Sequence, residues 1–419
     1  MNEISSRMRQ PSVRTSIIIR KSDLIGWWYV VLFIMFYPSF VLRVVDIPYW
    51  GYFCYVTILI NDIYIVYTRR KITSPTVWSA VLYGYFLMVT LIVNADEIFN
   101  CLLRTFLAVS FVMTVEYMFE KYKEKRTINF LMRTMEVFNY LNLLSMILYP
   151  AGMRKVVTNG IYEEIVKVED GAVRTSQRVL WLLGHQSIMV RFTLPSICIA
   201  LLVINMNGRQ IKGNFRSIAL IVVCVVETII ANSVGNYLVL FVFLSFMVLF
   251  HFRGRIKSWM VYPWIALIYA FFFTSSSELN ILTLLSNLMN RRVLLSARVT
   301  IWLNTLNAWL EKPIFGWGYI NENSTYIRQL LSLGNPHSTY LWALFEGGVI
   351  GLVLLVIFIQ RFSKQLQNCW NSKNARIIYA AFISILIAMV DDDYIFRFPQ
   401  ILIIFILVYH IPSFAKYDL

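Results

Sequence analysis

A series of twelve long apolar runs constrains this chain more than any other feature. A transmembrane helix needs about 20 consecutive apolar residues, so runs of nearly this length predict membrane crossings. Hydrophobic residues make up 58% of the 419-residue chain and charged residues only 15%, whereas a soluble domain carries about 25% charged residues. We therefore predict an all-α polytopic protein with one integral membrane domain spanning 1–419. Its spans are 25–42, 50–67, 76–93, 99–119, 129–149, 187–206, 216–232, 235–251, 259–275, 338–360, 376–391 and 398–414.

The distribution of Lys and Arg predicts which way the spans face. The formal net charge is +15, and most of the 38 basic residues lie in alternate connections between the apolar runs. Short connections rich in Lys and Arg face the cytoplasm. The basic segments are the N-terminal tail, 68–75, 120–128, 207–216, 252–258, 361–376 and the C-terminal tail. We therefore predict an inner-membrane protein with cytoplasmic N- and C-termini, and this pattern favours the membrane over nucleic acid as the basic residues' partner.

Two long connections fall on the predicted outer side, at 150–186 and 276–337. Connections this long are usually functional or disordered, and both are rich in Trp, Leu, Ile and Tyr. We therefore expect both connections to contain interfacial helices rather than to be disordered. Four of the five cysteines lie in apolar runs and the five show no paired spacing, so neither a disulfide framework nor a metal site is predicted.

Segment 285–311 of the second loop contains no Gly or Pro and predicts a helix lying on the membrane surface. Arg291, Arg298 and Trp302 recur at helical spacing and share one face. Guanidinium groups are suited to gripping phosphate or diphosphate in a bidentate manner. An ordinary headgroup-binding helix is the alternative.

His337 follows a Gly-Asn-Pro turn, at the predicted outer mouth of the tenth span. A histidine there could act as a general base at neutral pH, and the N-terminus of a helix favours its neutral form. An interfacial histidine bonded to a backbone carbonyl is the alternative reading.

Further polar residues fall near the predicted outer side. Arg178 and His185 belong to the first long loop, while Arg191 lies just inside the sixth span, where an arginine needs a partner or a function. Asp391 and Asp392 belong to an Asp triplet that could orient Arg or His neighbours or could mark the water interface. Glu346 lies within the tenth span and needs protonation or a cationic partner, and Arg104 and Arg133 lie within other spans.

These motifs, taken in order, resemble the superfamily of O-antigen ligases and O-antigen polymerases of bacterial envelope glycan assembly. The matching elements are Arg298 with Trp302, Pro313-Ile-Phe-Gly316-Trp-Gly318, His337-Ser-Thr-Tyr-Leu341 and Glu346-Gly-Gly-Val-Ile-Gly351-Leu352. Twelve spans with a large late external loop is also that family's layout. Ligases of the family often carry Ser-Arg-Gly at the outer turn between spans seven and eight. Here Val234 occupies the arginine position, which shifts the expectation from lipid A–core ligase toward polymerase.

The resemblance implies a metal-independent membrane glycosyltransferase that needs no cofactor. Its donor would be an oligosaccharide on a polyprenyl diphosphate, and its product a capsule, an exopolysaccharide or an O-antigen. Candidate partners are a flippase and a chain-length regulator. His337 and Arg298 are the implied catalytic residues. Arg291, Arg191 and Arg178 are candidates for diphosphate binding, and His185, Asp391, Asp392 and Tyr340 for orienting groups or binding the acceptor.

Three alternatives remain open from the sequence. A ligase would transfer glycan to a different acceptor. A flippase or other transporter would also suit twelve spans, but it predicts short external loops and charges at the midplane of the bundle. A non-enzymatic scaffold gives no reason for the Arg, Pro-Gly and His series.

Overall fold

The structure is a computed structural model. It describes residues 21–45, 47–69, 71–150, 152–153, 165–169, 172–176, 180–208, 211–252, 262–263, 265–267, 269, 296–321, 324–331, 335–369, 371–397 and 399–417.

Helices dominate these residues, as the apolar runs predict. They are α1 (Lys21–Met35), α2 (Pro38–Leu42), α3 (Trp50–Arg69), α4 (Ser74–Val93), α5 (Ile98–Leu148), α6 (Val190–Asn207), α7 (Ile211–Ala231), α8 (Val234–Phe252), α9 (Ser296–Glu311), α10 (Thr325–Leu331), α11 (Thr339–Ser363), α12 (Lys373–Ala388), α13 (Leu402–Tyr409) and α14 (Ile411–Phe414). The first long loop adds two antiparallel pairs, β1 (Ile165–Glu169) with β2 (Ala172–Ser176) and β3 (Leu180–Trp181) with β4 (Gly184–His185).

Helix α5 is a hairpin of two helices that meet at Lys123. Lys123 has φ 58° and ψ 177°, which no α-helix accommodates. Phe36 lies 5.2 Å from Phe111, and Phe40 lies 4.9 Å from Phe138, measured between ring centroids. A continuous helix would separate Phe111 from Phe138 by about 40 Å, although their partners Phe36 and Phe40 are only four residues apart in the chain. The chain therefore reverses at Lys123, within a predicted cytoplasmic connection.

Five described helices are long and apolar enough to cross a membrane, and a pair bent by 63° at Tyr409–Ile411 makes a sixth candidate. The segment Ala95–Leu148 counts once among them although its two halves match separate predicted spans. Each predicted span except 259–275 coincides with a helix or a helix pair, and that span lies largely outside the described residues. The helical membrane architecture is confirmed, while the count of twelve and the side of the termini stay predictions.

Helix α11 breaks at Gly348, and a loop fills the break. Gly348 has φ 63°, and the interrupted helix leaves backbone groups that the Pro313–Gly318 segment satisfies. The backbone N–H of Trp317 donates to the carbonyl of Phe345 at 2.8 Å, and the backbone N–H of Gly318 donates to the carbonyl of Glu346 at 2.9 Å. In return, the Val349 N–H donates to the carbonyl of Pro313 at 2.9 Å. We call this arrangement the Gly348 junction.

Close backbone approach explains why glycine recurs on both sides of the Gly348 junction. A Cβ on Gly316 would lie 2.5 Å from the carbonyl oxygen of Phe345, and one on Gly348 would overlap the carbonyl of Ile314. Both residues also have positive φ, which costs an L-residue about 1–2 kcal/mol. The Pro-Ile-Phe-Gly-Trp-Gly and Glu-Gly-Gly motifs are thus two halves of one packing unit.

We predict that Gly348→Ala lowers the free energy of unfolding by at least about 2 kcal/mol, because it combines a disfavoured φ with backbone overlap. Thermal unfolding of purified protein in detergent measures the change. Gly213→Ala is the matched control, since a Cβ there meets nothing within 4 Å. Equal melting temperatures for the two variants would contradict the close packing.

Candidate functional site

Three consecutive carboxylates form a turn after α12, which we call the acidic turn (Asp391–Asp393). The N-terminus of α11 is bonded directly to it. The Thr339 N–H donates to the carbonyl of Met389 at 2.8 Å and to that of Asp392 at 3.1 Å. The Thr339 hydroxyl donates to the Asp392 carbonyl at 2.9 Å and accepts from the Tyr394 N–H at 2.9 Å. His337, two residues before Thr339, is thereby held at the same turn.

Three arginines from different parts of the chain converge on the acidic turn. Arg191 of α6 places Nη2 2.7 Å from an oxygen of Asp392 and 3.4 Å from one of Asp393. Arg397 lies 2.9 Å from Asp393, and Arg298 of α9 bonds both the carboxylate and the carbonyl of Asp391. The side chain of Arg191 is only 1% exposed, whereas that of Arg298 is 26% exposed.

His337 has an unusual backbone conformation and a carboxylate nearby. Its φ is 46°, and its N–H donates to the side chain of Asn335 at 3.0 Å. Its Nδ1 lies 4.0 Å from Oδ1 of Asp392, and its side chain is 20% exposed. Residues held at positive φ other than Gly are uncommon and cluster at functional sites. The imidazole therefore lies beside Asp392 and is partly exposed.

The pKa values of Asp392 and Asp393 are shifted in opposite directions. Burial alone would raise the pKa of Asp392, but the charges of Arg191, His337 and Arg298 outweigh it and lower that pKa to about 2. Burial dominates at Asp393 and raises its pKa well above the ordinary value. Asp392 is therefore a permanent anion beside His337 at neutral pH.

The α7–α8 turn adjoins the acidic turn, and the end of the first long loop bonds to the α7–α8 turn. Asn236 donates to the carbonyl of Gln186 at 2.7 Å, and a Cβ on Gly235 would lie 3.4 Å from Asp391 Oδ2. The Asn232–Asn236 turn therefore adjoins the acidic turn. His185 precedes Gln186, and its Nδ1 lies 2.7 Å from the hydroxyl of Ser187.

The structure brings five of the predicted site residues together, namely Arg298, His337, Arg191, Asp391 and Asp392. Tyr340 is buried, and its hydroxyl donates to the carbonyl of Leu386 at 2.8 Å, which ties α11 to α12. Arg178 and Arg291 lie outside the described residues.

A second charged centre lies beside the Gly348 junction. Arg104 of α5 pairs with both carboxylate oxygens of Glu346, at 3.0 and 2.6 Å, and Glu346 is fully buried. The Ile320 N–H donates to the same carboxylate at 2.7 Å, and the ring of Tyr319 lies 4.7 Å from the Arg104 guanidinium. Glu346 therefore has the cationic partner that its place in a span requires. Sequence spacing gave no sign of this pair, because its members are 242 residues apart.

The grouped residues suit anion binding and proton transfer. Fixed guanidinium groups can hold phosphate oxygens, and an imidazole beside a fixed carboxylate can take up a proton. No three His, Cys, Asp or Glu side chains in the described ranges are grouped so that they could hold a metal ion.

Comparison with known proteins supports the predicted family. Residues 217–356 match a family model described as O-antigen ligase, and this range includes Arg298, His337 and the Gly348 junction. A candidate polysaccharide ligase of Rickettsia conorii is 31% identical to this chain over 100 residues. Those residues are 21% of this chain and 24% of that protein, so the chain matches about a quarter of that relative's length. The resemblance to the O-antigen ligase and polymerase superfamily is thereby confirmed.

We expect Glu346→Gln to lower the free energy of unfolding by about 3–5 kcal/mol, because it leaves the Arg104 guanidinium buried without its counter-ion. The free energy of unfolding should fall less in the double variant Arg104→Gln/Glu346→Gln than in Glu346→Gln alone. Glu311→Gln is the control, since Glu311 is exposed at the end of α9 and the charge of an exposed side chain contributes at most about 1 kcal/mol. Additive losses in thermal unfolding would show that the pair is not coupled.

For Asp392→Asn we predict a shift of the acid side of the pH–activity profile to lower pH, by about one unit. The Asp392 carboxylate stabilises a positively charged imidazole at His337, so its removal disfavours protonation of that imidazole. Profiles of glycan synthesis against pH measure the shift, with Asp96→Asn at the α4–α5 turn as the control. A lower rate with an unchanged profile would mean that Asp392 does not act through His337.

Proposed function

We propose that the protein polymerises polyprenyl-diphosphate-linked oligosaccharide units at the outer face of the bacterial cytoplasmic membrane, forming a surface polysaccharide. The membrane helices and the family match support glycan processing on a lipid carrier. The observation that carries the proposal is that Arg298 and His337 contact adjacent carboxylates of one turn.

The proposed reaction joins two glycans in one displacement. The acceptor hydroxyl oxygen attacks the anomeric carbon of the donor while the bond from that carbon to the diphosphate oxygen breaks. His337 takes the hydroxyl proton, and the lipid diphosphate leaves with the bonding electron pair. A single displacement inverts the anomeric carbon, and the step requires neither metal nor nucleotide.

Arg298 is assigned to the departing diphosphate. A guanidinium carries five N–H donors, and Asp391 engages its Nη1, so the side chain is oriented while it remains part-exposed. Fixed positive charge of this kind stabilises the negative charge that develops on the leaving group. Arg191 is buried against two carboxylates, so we assign it to positioning the acidic turn, with Arg178 and Arg291 as further diphosphate candidates.

Transfer to a different acceptor, as in a ligase, is the second candidate. The family description and the name of the Rickettsia relative favour it. Val234, at the position where family ligases often carry arginine, favours the polymerase. Both reactions use the same donor chemistry and the same proposed roles for His337 and Arg298.

His337→Ala and Arg298→Ala should each abolish long-chain glycan, because one removes the base and the other the diphosphate cation. Glycan size profiles of complemented deletion strains measure the effect, and immunoblots of membranes check the protein level. Arg361→Ala is the control, since Arg361 is exposed at the other end of α11. Normal chain length in both variants would refute the assignment. Single units on the lipid carrier indicate a lost polymerase, whereas full chains left on the carrier indicate a lost ligase.

A further inference from the structure

Tyr269, in the predicted ninth span, contacts both of the elements that carry the proposed reacting groups. Its ring centroid lies 5.2 Å from that of Trp302, with the two ring planes at 66°. Trp302 is 1% exposed and follows Arg298 by four residues in α9. The hydroxyl of Tyr269 is hydrogen-bonded to the hydroxyl of Ser338, which follows His337 in the chain. One side chain therefore joins the helix of Arg298 to the residue beside His337.

The bonds of Ser338 indicate that Tyr269 is the donor in this pair. Ser338 is fully buried and caps α11, where its Oγ accepts from the Leu341 N–H at 3.4 Å. The same hydroxyl donates to the carbonyl of Met389 at 3.3 Å. A serine hydroxyl has one proton and two lone pairs, so the second lone pair accepts the proton of Tyr269. The chain of bonds thus runs from Tyr269 to Met389, two residues before the acidic turn.

The backbone of His337 is restrained from both sides. Its φ of 46° is a conformation that a residue with a Cβ keeps only where the surrounding structure holds it. On the N-terminal side, the side chain of Asn335 accepts the His337 N–H at 3.0 Å. On the other side, Ser338 is fixed by the cap of α11 and by Tyr269. Removal of the Tyr269 hydroxyl therefore loosens one restraint on the position of the imidazole.

We propose that Tyr269 is a positioning residue that sets the spacing between the histidine base and the diphosphate-binding arginine. The inference rests on the proposed function, since it explains how the two groups assigned there are held relative to each other. The ring of Tyr269 acts on Arg298 through Trp302. The hydroxyl acts on His337 through Ser338. A single displacement needs base and cation in register, and a misplacement of about 1 Å can lower the rate about a hundredfold.

Two substitutions separate the ring of Tyr269 from its hydroxyl. Tyr269→Phe keeps the ring against Trp302 and removes only the bond to Ser338. We expect kcat to fall about tenfold with KM unchanged, because the base shifts while Arg298 stays in place. Tyr269→Leu removes both contacts and should also raise KM about tenfold. Glycan transfer is measured with full-length protein in nanodiscs, and lipid-linked units extracted from a deletion strain serve as the substrate.

The titration of the His337 imidazole reports its position without requiring turnover. Nδ1 of His337 lies 4.0 Å from Asp392, which also pairs with Arg191, and the neighbouring Asp391 pairs with Arg298. The carboxylate of Asp392 stabilises the protonated imidazole. An imidazole that moves away from Asp392 therefore gives up its proton at lower pH.

NMR titration of histidine-labelled protein measures this change. The chain contains four histidines, and the signal that disappears in His337→Ala identifies His337. We expect Tyr269→Phe to move the titration midpoint of His337 to lower pH, by less than Asp392→Asn does. In the Asp392→Asn background, Tyr269→Phe should cause no further shift, because the carboxylate that the imidazole moves away from is already neutral.

Tyr262→Phe is the matched control, since it removes a tyrosine hydroxyl from the same predicted span, seven residues before Tyr269. It should leave kcat, KM and the His337 midpoint unchanged. Ser338→Ala removes the bond from its other end. The losses in kcat caused by Tyr269→Phe and Ser338→Ala should therefore be less than additive in the double variant. Fully additive losses would contradict a shared bond.

The outcomes separate this inference from the proposed function. An unchanged kcat and an unchanged His337 midpoint in Tyr269→Phe would overturn the role of Tyr269. A lower kcat with an unchanged midpoint would overturn it as well, since the hydroxyl would then not act through the imidazole. In either case the proposed function stands if His337→Ala abolishes transfer. If His337→Ala transfers glycan normally while Tyr269→Phe shifts the midpoint, the proposed function fails, although the link from Tyr269 to the His337 segment is supported.

Discussion

The Gly348 junction is the interaction on which the rest of the site depends. Breaking a helix inside a membrane exposes backbone groups that lipid cannot satisfy, so another part of the chain must bond them. The Pro313–Gly318 segment does so, and the break fixes the path of the chain between α9 and α11. The next residues of that path, Tyr319 and Ile320, meet Arg104 and Glu346. The buried ion pair and the second long loop therefore share one anchor.

The acidic turn holds charged side chains in place, as the Gly348 junction holds the backbone. Each of its carboxylates holds a cation from a different element: α9, α6 and the segment after the turn. Isolated charges at this depth would be costly, and only paired charges can be kept in fixed places. Arginines that pair with carboxylates in the resting protein are then in position to exchange part of that bonding for phosphate oxygens.

Much of this architecture follows from the sequence, because apolar length predicts helices and shared sidedness predicts which loops meet. Arg298, His337, Asp391 and Asp392, which the sequence puts on the same predicted side, lie together at the acidic turn. The pairing of Arg104 with Glu346 could not be predicted, since both residues sit in apolar runs far apart and nothing local selects the partner. The buried role of Arg191 and the interhelical bond of Tyr340 were likewise set by tertiary packing. Nothing in the Pro-Ile-Phe-Gly-Trp-Gly motif alone predicts that this segment inserts into a broken helix.

Helix α9 is held at both ends, and this has a consequence for the energetics of transfer. Its C-terminal turn is fixed because the Trp317 indole donates to the Ala308 carbonyl at 2.8 Å, and its other end is fixed by Arg298 on Asp391. In the proposed reaction, the dipoles around the leaving group are thus oriented during folding. Little reorganisation free energy is left for the moment of bond cleavage, which is the condition under which a protein stabilises a transition state better than water does.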